Sequence, residues 1–579
     1  MFIQGIEKRG QTYYAVYHGT RLVNKVNRET KLYIGNLDNL DEPRRIDIEK
    51  KLKELGDPSL IQKFHSILLS RGYRLPSPIS TFEIEEIYGY GPELALHKVC
   101  EEIELVDTIN RFSPKGGGPD LGKIVEIMAL ARNCDPCSYY QLPDWFSRTA
   151  LQFFLKVSQD EFTYDVALNA LDYLQPKNTI PMQSKLYENI RRAYGYECER
   201  LDIDLTSTYF EGHECVLAEF GHPRGHSSDK RQIVIAFVVD QKEILVTHRV
   251  WPGNRTDVKS LKPVDRCLKN DFGLNAKRVV DRGMASWENI KYMEWKKERY
   301  LVALRAEVKG TELLDEIKKP RDEWTKVGDD EVAISVIRGK RKFIVLWNAS
   351  VAGTNKKERV SKVSKAEEEL NKIMISVEMG KVSDKSERDE KIGYIKRKYG
   401  VTKYIETVDK VDGLNFTTKR LSYLDEVKEY DGYQVFVTTE LDLNEKEIIE
   451  SYRVRDEIEI IESYRVRDQI EKAIRTLKSV LGLHPQNVRT KEHILGNIFI
   501  CATAFQLRSI LRMKLKDKGI DTSIEDAMRM LERLKAVHIA VGKDGEIQVY
   551  RKLRNIDGEV RKLVDVFKLS DNEKFPEVD

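Results

Sequence analysis

The stretch LDIDLTSTYFE, residues 201–211, alternates apolar and polar side chains with a period of two. Leu201, Ile203 and Leu205 therefore face one side of a strand, and Asp202 and Asp204 face the other. Two carboxylates on one strand face require solvent or a cation. The next runs, RQIVIAFVVD (231–240) and KEILVTHRVW (242–251), are two more strands, and the short connection between them predicts a hairpin. TDVKSLKPVDRCLKNDF (256–272) has helical spacing, RVVD (278–281) is a short strand, SWENIKYMEWKKE (286–298) a helix and RYLVALRA (299–306) a strand.

Three antiparallel strands followed by alternating helix and strand is the order of an RNase H-like α/β fold, a mixed sheet flanked by helices. Pieces of that order occur in many α/β folds. Asp281 ends the strand RVVD, which puts its carboxylate at the strand's carboxyl edge, where open α/β sheets place ligands.

Outward from this core, the pattern divides the chain into six parts. Residues 1–90 read as a hairpin and a helical region, a candidate for DNA binding, with YYAVYH (13–18) and KLYIGNL (31–37) as strands and a charged helical stretch from Arg45 to Arg71. Residues 91–195 are a helical domain. Its glycine run, Gly116 to Gly118, lacks the preceding strand and the Lys-Ser/Thr ending of a phosphate-binding loop and reads as a flexible turn. Residues 196–306 form the first part of the core, and 307–430 a charged insertion with a strand pair around VAISVIRGKRKFIVLW (332–347) and helices near SKAEEELNKIM and SERDEKIGYIKRKYG. Residues 431–515 return to the core with the strand GYQVFVTTEL, and 516–579 form a C-terminal tail region. Asn444 caps the helix that follows that strand, with Glu447 as its capping-box partner.

The 579 residues exceed what one core organises, and a hydrophobic fraction of 41% with 33% charged residues describes a soluble globular protein. No uninterrupted apolar run spans a bilayer and no secretory signal opens the chain, which predicts no membrane association and a cytoplasmic protein. Seven scattered cysteines form no disulfide framework. Cys134 and Cys137 make one C-x-x-C without a second pair and read as packed free thiols. The net charge of +3 means that any basic surface is local; residues 462–520 hold 12 Lys and Arg against 5 Asp and Glu. Within that stretch His484, Arg489, Lys491 and His493 are a candidate DNA surface or a solvated helix face. Trp324 and Trp347 are candidates for stacking on an unpaired base, or core residues.

Tyr464, Arg467, Glu471 and Lys478 stand at steps of three, four and seven, which bring all four onto one face of a helix. Such a stripe is either a functional face or an exposed one laced with ion pairs.

The segments DLTSTYFEG (204–212), PGNRTD (252–257), VVDRGMAS (279–286) and YRVRDQIEKAIRTLK (464–478) resemble the signature blocks of bacterial and archaeal insertion-sequence transposases of the DDE superfamily, the group with a Y-R-E-K signature. The resemblance runs from Asp202 to Gly496. It implies an RNase H-like catalytic core and a triad of Asp204, Asp281 and Glu471 that holds two magnesium or manganese ions. It further implies that Tyr464, Arg467 and Lys478 bind DNA, with Arg282 and Arg475 beside them. Asp202 is the rival for the first position; the D-x-T form, with Thr206, favours Asp204. Implied partners are double-stranded DNA, as element ends and target, and a second copy of the chain in the DNA complex. Two alternatives remain: a degenerate transposase that binds DNA without cutting, and a structure-specific nuclease of RNase H-like fold.

EIIESYRVRDEI (447–458) is followed at once by EIIESYRVRDQI (459–470), a local tandem duplication. Only the second copy completes the stripe, because counting from Tyr452 through Arg455 and Glu459 puts Val466 where the lysine belongs. A helical dozen adds about 18 Å and turns the upstream chain by about 120°. The first copy loops out, or the helix protrudes, or the chain is inactive.

Overall fold

In the computed structural model, all residues are described except positions 9, 23–24, 39, 74–81, 114–116, 210–214, 222–229, 305–312, 314–317, 412, 423–429, 454–475, 478–480, 482–487, 542–546, 551–557 and 570–579. Two compact units emerge, one of residues 1–87 with 537–552 and one of residues 88–536 with 553–579.

In the first unit, β1 (Phe2–Lys8), β2 (Gln11–Leu22) and β3 (Lys25–Asn36) form an antiparallel meander. Ile3, Val16 and Ile34 pack with Ile48 and Leu52 of helix Glu42–Glu54 and with Leu60, Phe64 and Leu68 of helix Pro58–Ser70. Each helix starts on an aspartate, Asp41 or Asp57, whose side chain accepts a first-turn N–H. β4 (Phe82–Gly89) is the edge of a second small sheet, completed near the end of the chain.

The second unit opens with helices, of which Gly91–Glu102 and Leu121–Cys134 pack on the long helix Lys491–Asp517 and Pro176–Tyr194 packs on helix Leu105–Phe112 and on strand Leu245–Pro252. That helix is apolar and long enough to cross a membrane, but its whole apolar window is buried inside the protein. It is a core helix.

Beside the helices lies a sheet of nine described strands. β5 (Arg200–Tyr209), β6 (Gln232–Asp240) and β7 (Leu245–Pro252) are antiparallel neighbours. β6 is buried at every residue, as its continuous apolar run requires. β8 (Lys277–Val280) runs parallel to β5, and β9 (Tyr300–Leu304) parallel to β8. The order β7-β6-β5-β8-β9, with helices Leu261–Asn270 and Trp287–Trp295 in the connections, is the RNase H-like core. The first of these helices starts later than its spacing suggested, after a short 3-10 turn at Asp257–Lys259; Pro263 then sits in the first helical turn, where its missing N–H costs nothing.

The stretch expected as an insertion divides in two. β10 (Thr325–Gly328), β11 (Glu331–Arg338) and β12 (Arg341–Asn348) extend the sheet. Helices Ala349–Glu378 and Lys385–Lys398, with the hairpin β13 (Ile405–Asp409) and β14 (Phe416–Arg420), build a separate small core from Val363, Leu370, Ile392, Ile395 and Phe416. β15 (Tyr433–Thr438) then returns between β12 and β9, antiparallel to both. Near the end of the chain, β16 (Lys535–Val541) and β17 (Ile547–Tyr550) complete the small sheet in the order β17-β16-β4.

Candidate active site

The parallel pair β5 and β8 sets the geometry. Asp202 is level with Val279 and Ile203 with Val280. One residue beyond their paired stretch stand Asp204, midway along β5, and Asp281, just past the carboxyl end of β8. Ile203 and Val280 point into the core shared with the helices, so the two aspartates project from the opposite face.

That opposite face is covered elsewhere by a second apolar cluster. Val279, Leu301, Ala303, Ile344, Leu346 and Phe436 pack against Ile448 and Ile449 of helix Glu445–Arg453. The helix begins with the expected capping box: Glu447 donates its N–H to Asn444 Oδ1 at 2.9 Å, and Asn444 donates its own to Glu447 Oε2 at 2.8 Å. Tyr452 lies with its ring 4.7 Å from that of Phe436. Lys277 Nζ reaches Ser451 Oγ at 2.7 Å and Glu440 Oε2 at 3.0 Å, fastening the helix to β8. The helix built from the first duplicated copy therefore sits on the same sheet face as Asp204 and Asp281. The rest of the duplication, with Tyr464, Arg467, Glu471, Arg475, Lys478 and His484, lies outside the described residues.

Asp202 and Asp204 have different surroundings. Asp202 is buried, and its Oδ1 accepts from Arg200 Nε at 3.2 Å and from the guanidinium's Nη2 at 2.9 Å. Asp204 is only half-buried. Asp281 is half-buried too, and its Oδ2 accepts the Gly283 N–H at 3.0 Å, a turn that fixes the carboxylate against the chain. Arg282, between them, is exposed.

A third aspartate stands here that the sequence reading did not single out. A β-carbon at Gly283 would lie 2.8 Å from Asp257 Oδ2 and 3.4 Å from Asp281 Oδ2, so the two carboxylates flank one glycine. The cause is topological: β7 runs parallel to β5 and β8, and the PGNRTD block that carries Asp257 leaves its carboxyl end at the same edge. The block was visible in the sequence, but the approach of its last residue to Asp281 depends on the loop's path. At the start of that loop Gly253 lies against the backbone: a β-carbon there would come within 1.9 Å of the Gln232 carbonyl oxygen. Arg255 Nη2 donates to the Lys259 carbonyl at 2.6 Å, closing the loop.

No three His, Cys, Asp or Glu side chains among the described residues are grouped to hold a metal ion. The other candidates fall as follows. Cys134 and Cys137 are free thiols, both pushed upward in pKa by burial. Trp324 is buried with its ring edge-on to Tyr433, and Trp347 donates to the Asp431 carbonyl at 3.2 Å beneath the Arg321 guanidinium, so both belong to the core. Arg489 and Lys491 are exposed at the start of the long helix, where His493 pairs with Asp172 at 3.3 Å.

The transposase DDE domain family matches residues 199–507, more than half of the chain. No curated protein shows a significant match. Among solved structures, the piggyBac transposase in its synaptic complex with hairpin DNA is similar at 12% identity and a TM-score of 0.35, over 77% of this chain and 80% of that one. The Mos1 transposase in a paired-end complex with the left transposon end is similar at 12% identity and a TM-score of 0.14, over 32% of this chain and 60% of that one. At those values neither likeness bears on the site.

Proposed function

The chain belongs to the transposase DDE domain family, and from that premise we propose that it cuts DNA at the ends of an insertion sequence and joins the cut ends to a target, acting in the cytoplasm. The observation that carries this reading is the register of β5 and β8, which brings Asp204 of β5 level with Asp281, just past the end of β8, inside the matched span. Glu471, which lies outside the described residues, is the third member of the proposed set.

The donor chemistry of these residues fits magnesium or manganese, which prefer hard carboxylate oxygens. Two such ions, when bound, supply positive charge to the attacking and leaving oxygens of a phosphodiester. The protein's own part is positional. Asp204 is held by a strand paired on both sides, and Asp281 by its bond to the Gly283 N–H, so neither carboxylate has to be ordered when DNA arrives. Arg282, Arg467 and Arg475 fork onto phosphates, while Tyr464 and Lys478 align the element's end. Water adds to phosphorus and the bond to the 3′ oxygen breaks; the freed 3′-hydroxyl then attacks a target phosphorus, and the target strand's 3′ oxygen leaves. Two element ends call for two active sites, hence a homodimer in the DNA complex.

The test uses DNA from either side of the coding sequence, where inverted repeats mark the element's ends. Wild-type protein nicks it in magnesium and yields joined product, whereas Glu471→Gln binds it without nicking. Nicking by Glu471→Gln would reject the triad, and nicking without any joined product would identify a nuclease. Binding without nicking by the wild type would identify a degenerate transposase.

A further inference from the structure

On the other face of the sheet, a groove of about 450 Å³ is lined by Lys291, Glu294 and Trp295 of helix Trp287–Trp295 and by Arg338, Lys340 and Arg341 of the β11–β12 turn. Its one carboxylate is already engaged: Glu294 takes Arg341 Nε at 2.6 Å and Nη2 at 2.8 Å, and the Tyr300 hydroxyl at 2.9 Å. Those bonds, led by the one from Arg341, hold Glu294 below the usual carboxylate range. Lys291, Arg338 and Lys340 are exposed and make no ion pair among the described residues. Beside them Trp295 is 73% exposed, with Lys296 Nζ 4.5 Å over its ring.

Lys291, Arg338, Lys340 and Arg341 outnumber the groove's single carboxylate, Glu294, and together with a solvent-facing indole they match a polyanion that offers phosphate charge and a flat sugar edge. The sheet register fixes where the groove lies. Lys342, Thr438, Leu301, Val279 and Asp202 stand in one row across five strands. The groove, next to Lys342, is thus four strand spacings from Asp204, roughly 20 Å. Helix Trp287–Trp295 packs through Ile290 and Met293 into the core shared by Val280, Val302 and Phe343, so the groove is on the face away from Asp204 and Asp281.

We propose that this groove is a second duplex DNA site, gripping the phosphodiester backbone of a segment other than the one being cut. The proposal rests on the transposase reading and adds a surface to it. DNA seated against the aspartates occupies the opposite face and leaves the groove open for another segment.

The experiment compares the full chain with Lys291→Ala/Arg338→Ala/Lys340→Ala and with Trp295→Phe, all at exposed positions remote from the triad. Loss of three phosphate contacts lowers the slope of log affinity against log salt by about 2.7 for a long duplex. Nicking of a short element-end duplex stays within twofold of wild type. Duplex DNA quenches the tryptophan fluorescence of the wild type, and Trp295→Phe removes most of that quench. An unchanged salt slope overturns the proposal, as does loss of single-strand binding with duplex binding intact. Loss of short-duplex nicking in the triple variant also overturns it, because the groove would then serve the cut itself. If the wild type fails to nick but the slope shift is seen, the catalytic reading fails and the groove stands.

Discussion

The two ends of the β5–β8 pair handle charge in opposite ways. At the amino end four acids are matched by basic partners: Asp202 by Arg200, Asp265 by Arg278 at 3.0 Å, Glu440 by Lys277 at 3.0 Å, and Glu298 by Lys269 at 2.5 Å. At the carboxyl end, Asp281 and Asp257 flank Gly283, and the half-buried Asp204 stands one residue beyond the paired stretch of β5. Acids of the first kind hold the sheet together. Those of the second kind lie where the proposed cation would bind; among the described residues no three acids are grouped to hold it, so the proposed site depends on Glu471.

Two aspartates two residues apart separate these two kinds of acid most sharply. Asp204→Asn removes nicking on the order of a thousandfold, about 4 kcal/mol of barrier, and leaves the melting temperature unchanged. Asp202→Asn does the reverse. It leaves Arg200 buried without its counter-charge, which costs about 3–5 kcal/mol of stability, while nicking persists at temperatures where the variant is folded. Denaturation curves and nicking rates on both proteins check the pair; loss of nicking in folded Asp202→Asn would move the first triad position.

A smaller effect comes from His248 on β7. Burial, with the nearby Arg249 charge, pushes its imidazole down to about 3 from 6.5. The unfolded chain takes up a proton below about 6.5 and the folded one does not, so stability rises with pH from about 3 to about 6.5 and is lost on acidification through that window. His248→Gln should flatten this part of the pH–stability curve, as measured by urea unfolding at several pH values.

The smallest effect is expected from deleting residues 447–458. The second copy supplies Ile460, Ile461 and Tyr464 at the spacing of Ile448, Ile449 and Tyr452, so the sheet face keeps its apolar cover. The melting temperature should move by no more than about 2 °C, a change of under about 1 kcal/mol. A collapse in stability would mean that the two copies are not interchangeable on the sheet.

Much of this was legible in the chain itself. Alternation over residues 201–209, the apolar run of β6 and the hairpin to β7 are local patterns, and local patterns survive folding. The capping box at Asn444 and Glu447 is local as well. Pairings across long sequence distances were not legible. That β10, β11 and β12 join the core sheet follows from β12 pairing with β15 some ninety residues later, a choice made by tertiary packing. Asp257 reaches Asp281 through a loop, and the basic groove joins a helix to a turn more than forty residues away, so no window of sequence contains either.

The central claim is that the carboxylates of Asp204, Asp281 and Glu471 share bound cations. Replacing magnesium with ferrous iron and adding ascorbate and peroxide cuts the polypeptide next to whatever holds the metal. The account predicts three cuts in the wild type, near residues 204, 281 and 471, all suppressed by excess magnesium. Cuts near 204 and 281 with none near 471 would contradict it.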